Sequence, residues 1–131
     1  MLVLRPQDPS ITSFWDEYNR CRKWIEDALE YAHNSHTSDQ VYDLVKSGDA
    51  QLWSFNDSAI VTEIVEYPQR TVLRFWLAGG NLNTLLKAER HIVDWSKLYK
   101  CTGVEIIGRK GWQKMLKDYQ SSSIVLVKEI K

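Results

Sequence analysis

Near the middle of the chain, the stretch Thr71-Val72-Leu73-Arg74-Phe75-Trp76-Leu77-Ala78-Gly79-Gly80-Asn81-Leu82 restricts the available folds more than any other. An apolar run with strand character leads into two glycines, and a long amphipathic helix pattern starts directly after them. Glycine lets the backbone turn sharply and lets another group come close, while the first N–H groups of a helix have no acceptor within it. Phosphates are often held at such joints. Gly79, Gly80 and Asn81 are therefore the candidate phosphate loop of a coenzyme site. The competing reading is a tight turn with Asn81 as the helix N-cap.

The strand over 71–78 is apolar on both faces, with Leu73, Phe75 and Leu77 on one side and Val72, Arg74 and Trp76 on the other. That pattern predicts a central strand. Two further strand-like runs precede it, over 51–55 and 59–67, with Asn56-Asp57 and Pro68-Gln69-Arg70 as connections. Short connections make the three an antiparallel meander. Upstream, Phe14, Tyr18, Cys21, Ile25, Ala28, Leu29 and Ala32 recur at helical spacing, predicting a helix over 13–32 with Ser13 and Asp16 as a capping box. Thr37 and Gln40 cap a shorter second helix that Gly48 ends.

After the glycines, Leu85, Ala88, Ile92, Trp95 and Tyr99 share one face of a helix over 82–99. A short strand over 104–107, a helix carrying Trp112, Met115 and Leu116, and a last strand over 123–127 complete the chain. An opening strand over 2–5 is stopped by Pro6. The order is β α α β β β α β α β. It predicts a single α+β domain over 1–131, with a mixed, mostly antiparallel sheet flanked by helices.

This order, with Arg5-Pro6 closing the first strand, resembles the GNAT family of N-acetyltransferases along essentially the whole chain. The resemblance implies a coenzyme A pyrophosphate held by a loop of the type Arg/Gln-x-x-Gly-x-Gly/Ala after the central strand. Here that stretch is Ala78-Gly79-Gly80-Asn81, shorter and without the leading Arg or Gln. The family also uses a tyrosine on its later helix to protonate the leaving thiolate. In this chain the helix reads Gly111-Trp112-Gln113-Lys114-Met115-Leu116, with Tyr119 beyond it. A narrower resemblance is to small phage-encoded proteins of GNAT-like layout, carried by Ala78-Gly79-Gly80 and Gly108-Arg109-Lys110-Gly111-Trp112. It implies phage or virion proteins as partners, and a place in the host cytoplasm or the assembled particle.

Seventeen basic and seventeen acidic residues cancel, which argues against nucleic acid as a partner. No stretch approaches the ~20 apolar residues of a membrane span. Cys21 and Cys101 read as free thiols of a reducing compartment. Arg74, charged on a central strand, calls for Glu63 or Glu66 as an internal partner, or else contacts an anionic ligand. Arg109, Lys110 and Trp112 form a second candidate contact for an anion or a partner protein. His33 and His36 have no third ligand nearby, so no metal site is expected. Six tryptophans exceed what one small core needs. One or more of Trp15, Trp24, Trp53 and Trp112 is expected at a contact with another chain, a second copy included, and Trp76 and Trp95 inside the domain.

The shortened loop makes the leading expectation a non-catalytic virion, assembly or interaction component without a cofactor, binding acetyl-coenzyme A no tighter than about 1 mM. The alternative is an acyl-coenzyme A-dependent N-acetyltransferase with a reduced pyrophosphate loop. The space between the central strand and the one after it discriminates: open for the enzyme, filled for the interaction component.

Overall fold

The computed structural model describes residues 4–108 and 111–130. Three antiparallel neighbours, β1 (Gln51–Phe55), β2 (Ser58–Glu66) and β3 (Thr71–Gly80), are joined by β4 (Gly103–Ile106), which runs parallel to β3. The sheet order is β1-β2-β3-β4. Helices α1 (Phe14–Tyr31) and α2 (Ser38–Ser47) precede it, α3 (Leu82–Ser96) links β3 to β4, and α4 (Gly111–Met115) follows. This is the expected mixed α+β architecture.

The predicted periodicities settle most of these elements. On α1 the residues Phe14, Tyr18, Cys21, Ile25, Ala28 and Leu29 are all buried. They form one core cluster with Val41 and Val45 of α2 and with Leu52, Val61 and Leu77 of the sheet. On the other face, Leu85, Ala88 and Ile92 of α3 meet Trp53, Ile60, Leu73 and Phe75. Thr37 and Gln40 complete the expected capping box of α2, and Gly48 ends that helix in the left-handed region at φ 88°. Ser13, by contrast, makes no side-chain cap.

Four expectations are corrected. Residues 4–8 form no strand, although Gln7 N–H donates to the Leu52 carbonyl at 2.8 Å; Met1, Leu2 and Val3 lie outside the described residues. Residues 123–127 form no strand either, and no described strand pairs with them. Helix α3 stops at Ser96, and Tyr99 falls on an exposed 3-10 turn (Lys97–Tyr99) instead of the apolar face. Finally, Leu77 belongs to the α1 side while Leu73 and Phe75 belong to the α3 side.

The tryptophans divide differently from expectation. Trp53 is fully buried, Trp15 is 48% exposed, and Trp24, Trp76, Trp95 and Trp112 are half-buried. Ile92, wholly enclosed between α3 and the sheet, sets a simple test of the helix face. Ile92→Ala should cost about 2–5 kcal/mol in denaturant unfolding. Lys87→Ala, at an exposed position, should cost no more than about 0.5 kcal/mol. Equal losses would mean that α3 packs through another face.

Candidate active-site cleft

Leu77 changes sides because β3 carries a bulge. Thr62 is paired with Phe75 and Val61 with Leu77, so Trp76 is an extra residue without a partner on β2. A bulge bends its strand and sharpens the local twist. It falls where β3 leaves β4: the parallel pairing covers residues 72–75 and ends at Phe75 opposite Ile106. Beyond it β3 continues along β2 to Gly80 alone. Residues 76–80 therefore turn a backbone edge toward a widening gap, unpaired by β4.

That gap is a narrow cleft of about 60 Å³. Tyr31 of α1 and Ala32 just after it, Trp76 and Ala78 of β3, Glu89 of α3 and Trp112 of α4 are among its walls. His36 stands edge-on to Trp76, with ring centroids 4.8 Å apart. The strands part at this point, and Trp76, Trp112 and Leu116 narrow the space between them.

Glu89 is the one charged side chain among the described residues of this lining. The Tyr119 phenol donates to its Oε2 at 2.6 Å. Two hydrogen bonds fold the chain back to make this possible, from Leu116 N–H to the Trp112 carbonyl and from Tyr119 N–H to the Leu116 carbonyl. Burial, and then the Glu89 carboxylate beside it, push the Tyr119 phenol well above the usual tyrosine range. It therefore remains a hydrogen-bond donor at any working pH. The sequence did not reveal this pair. Its one signal was Glu89 itself, a carboxylate four residues after Leu85 and three before Ile92, at the border of the apolar stripe.

The glycine pair is packed by the protein itself. A Cβ on Gly79 would lie 2.5 Å from the Trp24 carbonyl oxygen of α1. Gly80 has φ 108°, and a Cβ there would lie 2.3 Å from the Asp57 carbonyl oxygen. Both glycines belong to β3, opposite Ala59 and Ser58. Asn81 is the N-cap of α3: its side chain accepts from Thr84 N–H at 3.2 Å. Leu85 N–H goes to the Asn81 carbonyl, which leaves Leu82 and Asn83 with N–H groups that have no intrahelical acceptor.

Arg74 stays apart from the cleft lining. Its guanidinium donates to Glu105 from Nε at 3.2 Å and Nη2 at 3.1 Å, and lies 3.8 Å from Glu63. Tyr67 joins the same network, donating to Glu105 Oε2 at 2.9 Å. Glu63 was expected; Glu105, from the parallel neighbour, was not. Trp112 is brought to the cleft, whereas Arg109 and Lys110 lie outside the described residues. Among the described residues no group of three or more His, Cys, Asp or Glu could hold a metal ion, and no helix is long and apolar enough to cross a membrane.

No sequence-family model matches this chain, and no curated protein matches it by sequence. Its shape does match solved structures. A point variant of a Thermus thermophilus protein superimposes with a TM-score of 0.64 at 13% identity, covering 99% of this chain and 98% of that one. Glucosamine-6-phosphate N-acetyltransferase from Arabidopsis thaliana gives 0.59 at 14% identity, covering 98% and 97%. A GNAT family acetyltransferase from Staphylococcus aureus gives 0.59 at 14% identity, covering 98% of both. The chain thus has the fold of the GNAT acetyltransferases, with the sheet split between β3 and β4 at the Trp76 bulge.

Proposed function

We propose that the cleft receives the acyl-pantetheine arm of an acyl-coenzyme A, and that the protein is an acyl-coenzyme A-dependent N-acyltransferase. The observation that carries this reading is the parting of β3 from β4 at Trp76, with a narrow cleft between them. A filled split would have favoured the non-catalytic alternative. When bound, the thioester supplies an activated acyl group. The chain's own residues do the rest. The unpaired edge over 76–80 offers backbone donors and acceptors to the arm's amides, as an edge strand does to an added peptide. Apolar walls such as Ala78 and Leu86 exclude water. Glu89 takes a proton from the acceptor amine, and the Tyr119 bond to Oε2 fixes the carboxylate with Oε1 left for that task. The free N–H groups of Leu82 and Asn83 face the pyrophosphate's negative charge with few helpers, so affinity should be modest.

Calorimetry with acetyl-coenzyme A tests this. A dissociation constant of about 100 µM is expected, tighter than the 1 mM limit set by the loop alone. Ala78→Phe, which fills the cleft, should weaken binding at least about tenfold in the protein that stays folded. Binding that the substitution leaves untouched, or none at all, would return the protein to the interaction reading. One observation favours that second reading: Trp15 is 48% exposed, with the Arg22 guanidinium 5.6 Å from its ring. Phage origin and virion partners rest on the Gly108–Trp112 resemblance, and co-purification from infected cells tests them.

A further inference from the structure

The cancelling charges describe the chain as a whole and conceal a division by position. Residues 1–81 carry seven Lys or Arg against twelve Asp or Glu, and residues 82–131 carry ten against five. The fold turns this into a difference between two layers. Helices α1 and α2, on one face of the sheet, hold seven acidic and four basic side chains. On the other face, α3 and the residues up to Lys100 hold two acidic and four basic. In the acidic layer the arginines are engaged: Arg20 lies 2.8 Å from Glu17, and Arg22 2.8 Å from Asp39. Lys87, Arg90 and Lys100, by contrast, are exposed and make no ion pair among the described residues. Lys97 meets Asp94 at 3.2 Å, but both side chains are well exposed, and such pairs contribute little. A helix C-terminus attracts cations, which accounts for Lys97 and Lys100 but not for Lys87 and Arg90. Arg90 and Lys97 stand two turns apart on one side, and the four cations span about 20 Å. At the end of this row Leu98 is 78% and Tyr99 52% exposed, with the Tyr99 ring resting on Trp95 at 4.7 Å between centroids.

We infer that the outer side of α3 and its terminal turn bind single-stranded nucleic acid. A local field, not net charge, steers a polyanion to a surface. Cations strung along a line match a polymer that carries a charge on every unit, and neutralising those phosphates releases counterions. A small anion would need the same cations to converge on one point. The exposed Tyr99 ring, backed by Trp95, offers an unpaired base a surface to stack on; a duplex keeps its base faces covered. This surface is distinct from the cleft. The free N–H groups of Leu82 and Asn83 lie about 20 Å from Lys97 along the helix axis.

Fluorescence anisotropy of the full-length protein with a labelled oligothymidylate of about 20 nucleotides tests this. At about 50 mM salt the dissociation constant should be about 10 µM, and log affinity against log salt should fall with a slope of about −3, for four phosphate contacts. Lys97→Gln/Lys100→Gln should reduce that slope by about 1.4 and weaken binding at least about tenfold. Tyr99→Ala should weaken the strand about tenfold and leave binding of the complementary duplex unaffected. Lys23→Gln, at an exposed lysine of the acidic layer, should bind like the parent. Circular dichroism at the assay temperature establishes that each variant is folded. No binding at about 100 µM protein would overturn the inference. So would equal weakening by Lys23→Gln, or tighter binding of the duplex or of phosphatidylserine vesicles than of the strand. Displacement of the strand by about 1 mM acetyl-coenzyme A would also overturn it, because the lysines would then serve the coenzyme's phosphates.

Discussion

Trp53→Ala should lower the unfolding free energy by about 3–5 kcal/mol, the upper range for removing a buried aromatic side chain. Trp53 is the largest fully buried side chain of the protein's described part. Its ring meets Trp95 of α3 edge-to-face, with centroids 5.0 Å apart, so the loss is felt by both the sheet and the helix on it. Its indole N–H donates to Thr62 Oγ1 at 2.9 Å, and the Thr62 hydroxyl donates in turn to Gln51 Oε1 at 2.9 Å. Truncation thus takes away a donor but leaves Thr62 its own acceptor, and the cavity dominates the cost. Trp15, half-exposed on α1 against Tyr42 at 4.8 Å, provides the comparison. Trp15→Ala should cost no more than about 1 kcal/mol. Urea unfolding of the two variants checks both numbers, and comparable losses would contradict the packing around β1.

Local patterns carried the sequence-based reading well wherever one periodicity ran unbroken. Helices α1, α2 and α3 and the meander follow from spacings of apolar residues that the core then uses. The Trp76 bulge was invisible for a specific reason. Phe75, Trp76 and Leu77 are all large and apolar, so strict alternation reads smoothly through them and nothing marks an extra residue. That omission matters, because the bulge is what opens the cleft. At Gly79 and Gly80 the groups that come close are the chain's own Trp24 and Asp57 carbonyls. What approaches is a non-local matter, set by how α1 crosses the sheet. Arg74 had the same difficulty: a meander names β2 as a neighbour, but only the parallel return of β4 brings in Glu105. The last strand failed for the opposite cause. Its composition has strand propensity, which has no effect until an edge is offered to it.

Glu89→Gln should reduce kcat by about 10²–10⁴-fold if Glu89 is the proton acceptor of the proposed transfer. The measurement is release of the coenzyme A thiol from acetyl-coenzyme A with a panel of primary amines. Glutamine keeps the size of the side chain and an amide oxygen that can still accept from the Tyr119 phenol, so the fold at the cleft should survive. Tyr119→Phe probes the other half of the pair. Tyr119 acts through Glu89, as a positioning residue, so its loss should lower kcat by about tenfold and leave KM unchanged. A purely structural role would instead show as a lower melting temperature, with the two kinetic constants of the surviving folded fraction unaltered. The cost of losing the bond is itself bounded, because a hydrogen bond to a charged group contributes about 1.5–3 kcal/mol. Should both variants turn over at the parent rate while acetyl-coenzyme A still binds, the proton goes elsewhere. His36, whose ring stands 4.8 Å from that of Trp76, would then be the next group to substitute.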